Sequence, residues 1–537
     1  MALPTVLAAA YLLVALLSAL NSKGRTTLPP GPLFHVPIIG DGLCLNGGGN
    51  ACAFFFNRFK RYGSVFRTKL LGARIWVVTD MDALRGVLRD DGATPDVPFP
   101  SFKTLMDCDS FIGVEGIHRP WRKVFSSALG PSQLADMVPH ITAVAQSHLR
   151  GWEAAGKIPT YSASRLVALD LAVDVIADVK LGPGADRAAF KADVLTFLDG
   201  LYGLPLNLPG STLARALAAR ERCIRALAPG LADVHGRFDA QWRAAGTSPQ
   251  AYATAVLTKA ATELGVTDDA AAAAASLAAG GGWSASRPRD LFAVTASLLG
   301  GRAGVQRGEV RDTALSVLHM LVASGDTTCF GLFNTWAVLA KSPRVQQRIW
   351  EEQQRVVSAL GEGLSPAALA AMPYLDAAIR EAMRLLPASS GGVRKLTREL
   401  GVAGYTIPAG EYVWYHAGLL HCLDPVLWDG RTEGEVPRHM DWRGGFEEAY
   451  RPERWLSPGD GGSEDLPRPR YAFAFGAGAH MCIGQNLVYL ELKVLLALTL
   501  RRYRLRLETP DMLERSEQLF PLFVPAKGTD TMLLEPR

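Results

Sequence analysis

Residues 475–484, Phe-Gly-Ala-Gly-Ala-His-Met-Cys-Ile-Gly, constrain this chain more than any others. Glycines at 476, 478 and 484 let a backbone turn tightly and approach a flat ligand closely. Residues 485–501 then read as an amphipathic helix, so Cys482 stands where that helix begins. The partial positive charge of a helix start favours the thiolate form of a cysteine. A cysteine in a helical protein is ordinarily small apolar filler. Here the flanking glycines, His480 and the helix start point instead to a thiolate that ligates a metal.

Such a ligand needs a large apolar body around it, and the composition supplies one. Hydrophobic residues make up 48% of the 537 and charged residues 20%, as in a globular protein with a big interior. A net charge of +4 is too weak to indicate nucleic acid, which calls for a clustered basic stripe. The seven cysteines are scattered, odd in number and contain no C-x-x-C pair. That pattern argues against a disulfide framework or a zinc site and for a reducing compartment.

Residues 2–20 carry no charge and are dominated by Ala, Leu and Val. As a helix they would span roughly 30 Å, the thickness of a bilayer core. Lys23 and Arg25 follow at once and no Lys or Arg precedes, which places the rest of the chain on the cytosolic side. Residues 1–22 therefore read as a membrane anchor rather than a cleaved signal, which would carry a basic start and a small-residue cleavage site. A Leu-Pro-Pro-Gly-Pro run at 28–32 makes residues 23–40 a basic, stiff hinge.

Residues 41–537 read as one catalytic domain, mainly α with a smaller, segregated β part. Residues 64–70 and 74–79 suggest a hairpin around Leu71-Gly72-Ala73. Helical periodicity dominates from 81 to 384, with long stretches at 311–340 and 344–360. Residues 404–410 read as a turn between strands. The Ala-rich 268–284 stretch reads as a surface insertion, and the charged 429–448 stretch as an external loop.

The loop at 475–484 resembles the heme-binding loop of the cytochrome P-450 family, F-x-x-G-x-[RH]-x-C-x-G, and three further segments follow that family's order. Glu381-Ala-Met-Arg384 matches its E-x-x-R, a pair on one helix face, with Pro452-Glu-Arg454-Trp455 as the partner P-x-R-W. Ala323-Ser-Gly-Asp-Thr-Thr328 matches A-G-x-[DE]-T-T in the middle of a long helix, with Ser324 where the family usually has glycine. His118-Arg-Pro-Trp-Arg122 matches a propionate-binding segment. The resemblance implies iron protoporphyrin IX (heme b) with Cys482 as axial ligand. It implies that His118, Trp121, Arg122, Arg394, Phe475, His480 and Gly484 contact the heme. Asp326 and Thr327 would deliver protons to dioxygen, and Glu381, Arg384 and Arg454 would buttress the fold.

Residues 200–220, beginning Gly-Leu-Tyr-Gly-Leu-Pro-Leu-Asn-Leu-Pro-Gly and ending Ala-Ala-Arg, resemble a segment of the branch that oxidises sterols, retinoids and terpenoid hormones. The implied substrate is a hydrophobic small molecule, and the implied pocket is lined from 101–117, 197–209 and 388–392. An NADPH-dependent reductase is the implied electron donor, with the anchor in the endoplasmic reticulum membrane. A plastid membrane is less favoured because the first 22 residues lack Arg. The alternative is a heme-thiolate isomerase or dehydratase acting on a hydroperoxide, whose members often lose the acid–threonine pair that this chain keeps.

Overall fold

The computed structural model describes residues 29–32, 40–41, 51–70, 72–106, 122, 126, 129–248, 251–252, 255, 310–428, 436–463, 465–519 and 522–537. The N-terminal apolar segment, His118, Trp121 and the Ala-rich 268–284 stretch lie outside the described residues. The rest forms two compact units.

The first unit comprises described residues up to Pro98, Arg380–Cys482 and Asp511–Thr529. Helix α1 (Ala51–Tyr62) leads into the expected hairpin, β1 (Val65–Leu70) and β2 (Ala73–Val78), paired Val65 to Val78. Its loop glycine, Gly72, takes φ +83°, which few other residues tolerate. Helix α2 (Met81–Arg89) is capped by the Asp80 carboxylate, and β3 (Ala93–Pro95) follows.

The second unit comprises Phe99–Ile379, Ile483–Pro510 and Asp530–Arg537. Its helices are α3 (Pro100–Met106), α4 (Pro131–Ala155), α5 (Thr160–Asp170), α6 (Arg187–Gly200), α7 (Thr212–Ala244), α8 (Val310–Ala340), α9 (Pro343–Leu360) and α10 (Pro366–Ala370). A short β4 (Lys157–Pro159) separates α4 from α5. A π-helical turn, Leu171–Ile176, extends α5. Helix α11 (Pro373–Leu385) contains the boundary between the units.

Later segments return to the first unit. Strand β5 (Gly391–Leu396) precedes β6 (Leu400–Val402), β7 (Tyr405–Ile407) and β8 (Tyr412–His416). One sheet is ordered β1-β2-β8-β5-β3, with β2 and β8 parallel and the other pairs antiparallel. Gly391 at φ +113° would drive a Cβ into the Tyr415 backbone, so only glycine admits this close pairing. Short helices α12 (Ala417–Cys422) and α13 (Phe446–Ala449) lead to the 475–484 loop. Helix α14 (Gln485–Leu500), β9 (Tyr503–Leu507) and the terminal strand Thr531–Pro536 belong to the second unit, where β9 and β4 flank that strand.

The mainly helical class with a segregated sheet part is what the sequence indicates, but two local expectations fail. Residues 404–410 are not a single turn. The turn falls at Ala403 and Gly404, both with positive φ, and Tyr405–Ile407 is itself a strand against β6. The 429–448 stretch is not an external loop throughout. His439, Met440 and Trp442 are buried, and so are Ala449 and Tyr450 just beyond it, because two carbonyls here accept from a buried arginine described below.

In the second unit, one core joins α3, α6, α7 and α8 through Leu105, Phe197, Leu213, Ala216, Leu318 and Leu321. Helix α8 is long and apolar enough to cross a membrane, yet two-thirds of its most apolar window is buried inside the protein.

Candidate active site

Cys482 ends a closed loop. Its N–H donates to the Phe475 carbonyl at 2.9 Å. Gly476 and Gly478 inside the loop take φ +76° and +73°, so the tight turn requires glycine at both. Gly484 differs: it caps α14 at φ −84°, a conformation open to any residue, and the turn argument does not extend to it. Cys482 is exposed, with Met481 exposed beside it, whereas Cys52, Cys223, Cys329 and Cys422 are all buried. His480 is half-buried in a 3₁₀ turn, Gly478–His480.

The loop is approached through a fully buried ion network. Arg384 donates twice to Glu381, at 2.8 and 2.9 Å, and both side chains are buried. Arg384 also donates to the carbonyls of His439 (2.8 Å) and Ala449 (3.0 Å). Glu381 accepts from Trp455 Nε1 at 2.8 Å and from the Arg451 N–H at 3.3 Å. Arg454 is a looser member, its Nε 3.7 Å from Glu381 while Nη2 donates to Glu448 O. The tighter bond in that segment therefore comes from Trp455.

His421, on α12, carries this network to the loop. Its Nδ1–H donates to Arg384 O at 2.8 Å, and its Nε2 accepts the Phe473 N–H at 2.8 Å. Complete burial holds its pKa down at about 3, so the ring stays neutral and both bonds persist. Asp424 accepts the N–H groups of Arg470 and Tyr471 at 2.7 Å each. These two side chains fix the chain entering the cysteine loop.

Arg394, on β5, is buried, and desolvation lowers its pKa. It donates to Val393 O and lies over the Tyr415 ring, but no carboxylate pairs with it among the described residues. The Tyr415 hydroxyl lies where a Cβ on Gly392 would collide with it, and 3.1 Å from where a Cβ on Gly476 would stand. A buried guanidinium without a counter-ion is costly and calls for an anion.

In the second unit, α8 is buried along most of its length but opens one stripe. Ala323 and Thr327 are exposed, and His319, Met320 and Ser324 are half-exposed, at the i, i+4 spacing of a single face. Ser324 and Thr327 each donate back to the carbonyl four residues earlier, at 2.7 and 2.6 Å. Such bonds keep polar side chains tolerable in a helix and favour bending. The helix runs unbroken through Ser324 and Gly325.

Asp326 turns away from that stripe and is buried. Desolvation pushes its carboxyl up to about 6, partly offset by the charge of Arg165, which in turn pairs with Asp199. Thr328 donates to Glu491 of α14 at 3.4 Å, a weak bond between fully buried groups. Burial drives Glu491 up to about 8. Glu491 was not among the sequence candidates. Its signal was available: it is the one acid in the otherwise apolar run Gln485–Leu500. Arg165, Tyr415 and His421 carried no comparable local signal, and Trp455 stood in the P-x-R-W segment without a role assigned to it. Arg122 is half-buried.

The first unit thus offers an exposed thiol at the end of a glycine loop, and the second, by itself, two buried carboxyls with raised pKa values. The Cytochrome P450 family model matches residues 29–192, 289–430 and 447–531, and the chain belongs to that family. It is similar to the human cytochrome P450 26C1, 26% identical over 88% of this chain and 83% of that one. It is similar to abscisic acid 8'-hydroxylase 1 of Oryza sativa subsp. japonica, 26% identical over 93% and 89%. A putative cytochrome P450 120 of Synechocystis is 23% identical over 87% and 88%. The solved structure of retinoic acid bound cyanobacterial CYP120A1 superposes with a TM-score of 0.66, covering 95% of this chain and 99% of that one at 21% identity, and shares the fold.

The chain is thus a monooxygenase-type oxidoreductase whose family cofactor is heme iron. The residues present fit that group. An exposed thiol ends a glycine loop, and the buried guanidinium of Arg394, with no carboxylate partner among the described residues, suits a carboxylate such as a propionate.

Proposed function

We propose that this protein is a membrane-bound monooxygenase that inserts one oxygen atom from O2 into an apolar isoprenoid, such as a sterol, retinoid or terpenoid. It uses heme b and takes electrons from an NADPH-dependent reductase at the endoplasmic reticulum membrane. When bound, the heme supplies oxygen activation, with the thiolate's electron density favouring O–O cleavage. Cys482 would hold the heme iron through its thiolate, Arg394, His480, His118, Trp121 and Arg122 would hold the propionates, and Phe475 and Gly484 would shape the loop against it. Glu381, Arg384 and Arg454 keep the loop in place.

The observation that carries this reading is the α8 stripe. Thr327 presents a side chain on an exposed face, and Asp326 behind it has a carboxyl near 6, able to take and give a proton at neutral pH. Glu491, near 8, holds a proton in reserve against Thr328. A hydroperoxide isomerase takes no protons from solvent and has no use for such a pair.

Two features support the substrate class and the membrane. Leu204, Leu206 and Leu208 are 71, 53 and 61% exposed on one short loop, an apolar tip suited to lipid. The relatives include an abscisic acid hydroxylase and a structure that binds retinoic acid.

The test uses the full chain in microsomes with a reductase. The reduced carbon-monoxide spectrum should show thiolate ligation in the wild type and lose it in Cys482→Ala. Sterols, retinoids and diterpenes are screened for a spin shift, and NADPH-dependent oxygen uptake is measured with those that bind. Equal turnover of a fatty-acid hydroperoxide with no electron donor would establish the isomerase reading instead.

A further inference from the structure

The 200–220 segment does more than resemble a branch pattern: four of its residues, Gly200, Tyr202, Gly203 and Arg220, grip α3. Gly200 sits so close to Ala216 and Leu105 that a Cβ there would collide with both. The Tyr202 ring packs against Phe99 at 5.9 Å and Phe102 at 6.4 Å. The Ser101 hydroxyl donates to Gly203 O at 2.8 Å. Arg220 is buried, and its Nη1 donates to the carbonyls of Thr104 (3.1 Å) and Leu105 (3.0 Å). Nε and Nη2 go to Glu221, which Arg311 holds with two further bonds at 2.7 and 2.9 Å.

The next carbonyl, Met106 O, accepts from His319 Nε2 at 2.8 Å. The last three carbonyls of α3 are therefore all taken by side chains from α7 and α8. A helix normally leaves such groups to water or to its own last turn. Here a guanidinium fork and an imidazole fix the position of the helix end as well as satisfying it. His319 is also the head of the exposed α8 stripe that ends at Thr327.

We propose that Arg220 and His319 are positioning residues that pin α3 at the edge of the α8 stripe, so that α3 sets which part of a large apolar ligand reaches Thr327. The inference rests on the reading of that stripe as the reaction face. It makes the Arg in the 200–220 pattern a specificity determinant that acts through two backbone carbonyls and touches no ligand itself. Lysine lacks the planar fork by which Arg220 faces two carbonyls with one nitrogen and Glu221 with the other two.

The test uses the heme-loaded full chain and two ligands that both report through the iron: imidazole, which is small, and a long-chain N-alkylimidazole, whose apolar tail stands in for a large ligand. In Arg220→Ala the long ligand should bind at least tenfold more weakly while imidazole stays within twofold and the thiolate spectrum is unchanged. Hydrogen exchange over Pro100–Met106 should accelerate. Arg220→Lys should fall between wild type and Arg220→Ala. His319→Gln, which keeps a donor for Met106 O, should retain long-ligand binding that His319→Leu loses. Equal weakening of both ligands would reduce Arg220 to a general stabiliser, and no change in either would remove the clamp; each overturns the proposal. All-trans retinoic acid is titrated in parallel. Its failure to bind the wild type would count against a retinoid substrate, while the imidazole pair still decides the clamp.

Discussion

The two units bury charge in opposite ways. Around Glu381 the carboxylate is fully answered: Arg384 forks onto it, Trp455 and the Arg451 amide complete it, and Arg384 also reaches the His439 and Ala449 carbonyls, although Arg454 Nη1 finds no hydrogen-bond partner among the described residues. Around Asp326 and Glu491 the accounts stay open. Asp326 feels Arg165 only as a nearby charge, and Glu491 has a single long bond to Thr328. A satisfied buried network is stiff. An under-satisfied carboxyl keeps its proton to higher pH, which is what proton transfer to a reacting oxygen requires. Scaffold and chemistry can thus be told apart by how completely each buried charge is paired.

Removing one partner of the satisfied network gives the largest expected effect. Glu381→Ala strands Arg384 in the interior, at a cost of about 3–5 kcal/mol. Thermal melting and heme content should both collapse. Melting within two degrees of wild type would break the comparison.

Asp326→Asn comes next and separates stability from activity. Turnover should fall on the order of 100-fold, the scale of a lost general acid. Stability should move the other way. The folded pKa of about 6 lies above the ordinary 3.8, so the folded state favours the neutral acid. That preference is fully expressed below pH 4 and is lost as pH rises through 6, leaving an ionisation cost of about 3 kcal/mol above pH 7. The asparagine variant should therefore melt higher than wild type at pH 8 and show no such gain at pH 4. A constant difference between the two pH values would mean that Asp326 is paired after all.

His421→Ala leaves the Phe473 amide and the Arg384 carbonyl without partners, a loss of about 1–3 kcal/mol. It should also broaden the thiolate carbon-monoxide band, because the chain entering the cysteine loop loses its tether. Glu491→Gln has its smallest effect at low pH. Its folded pKa of about 8 lies above the ordinary 4.5, so the unfolded chain ionises first and the wild type loses stability as pH rises from about 4.5 to 8. The glutamine variant should therefore melt higher than wild type at pH 8 and show no such gain at pH 4. The solvent isotope effect on turnover should rise if Glu491 feeds protons toward Thr328.

What could be read from the chain alone lay in short windows. Phe475, Cys482 and the helix after them fall within one loop and its continuation. Glu381 and Arg384 share a helix face by their three-residue spacing, and Asp326-Thr327 interrupts an apolar helix. Helical periodicity and turn chemistry are local, so such sites declare themselves locally. The same logic made the hairpin at 65–78 and the 31-residue helix legible.

Local spacing says nothing about which distant group completes a site. The Thr328–Glu491 contact, the path from Arg384 through His421 to Phe473, the Arg394–Tyr415 pair and the grip of Arg220 on Thr104 and Leu105 join residues far apart in sequence. Only packing decides whether a buried polar group meets a full set of partners, and that decides its charge. The sequence by itself therefore determined which residues are candidates for the chemistry. The tertiary structure decided which of them hold a proton and which only hold the fold, because desolvation and pairing are properties of the folded neighbourhood rather than of the chain.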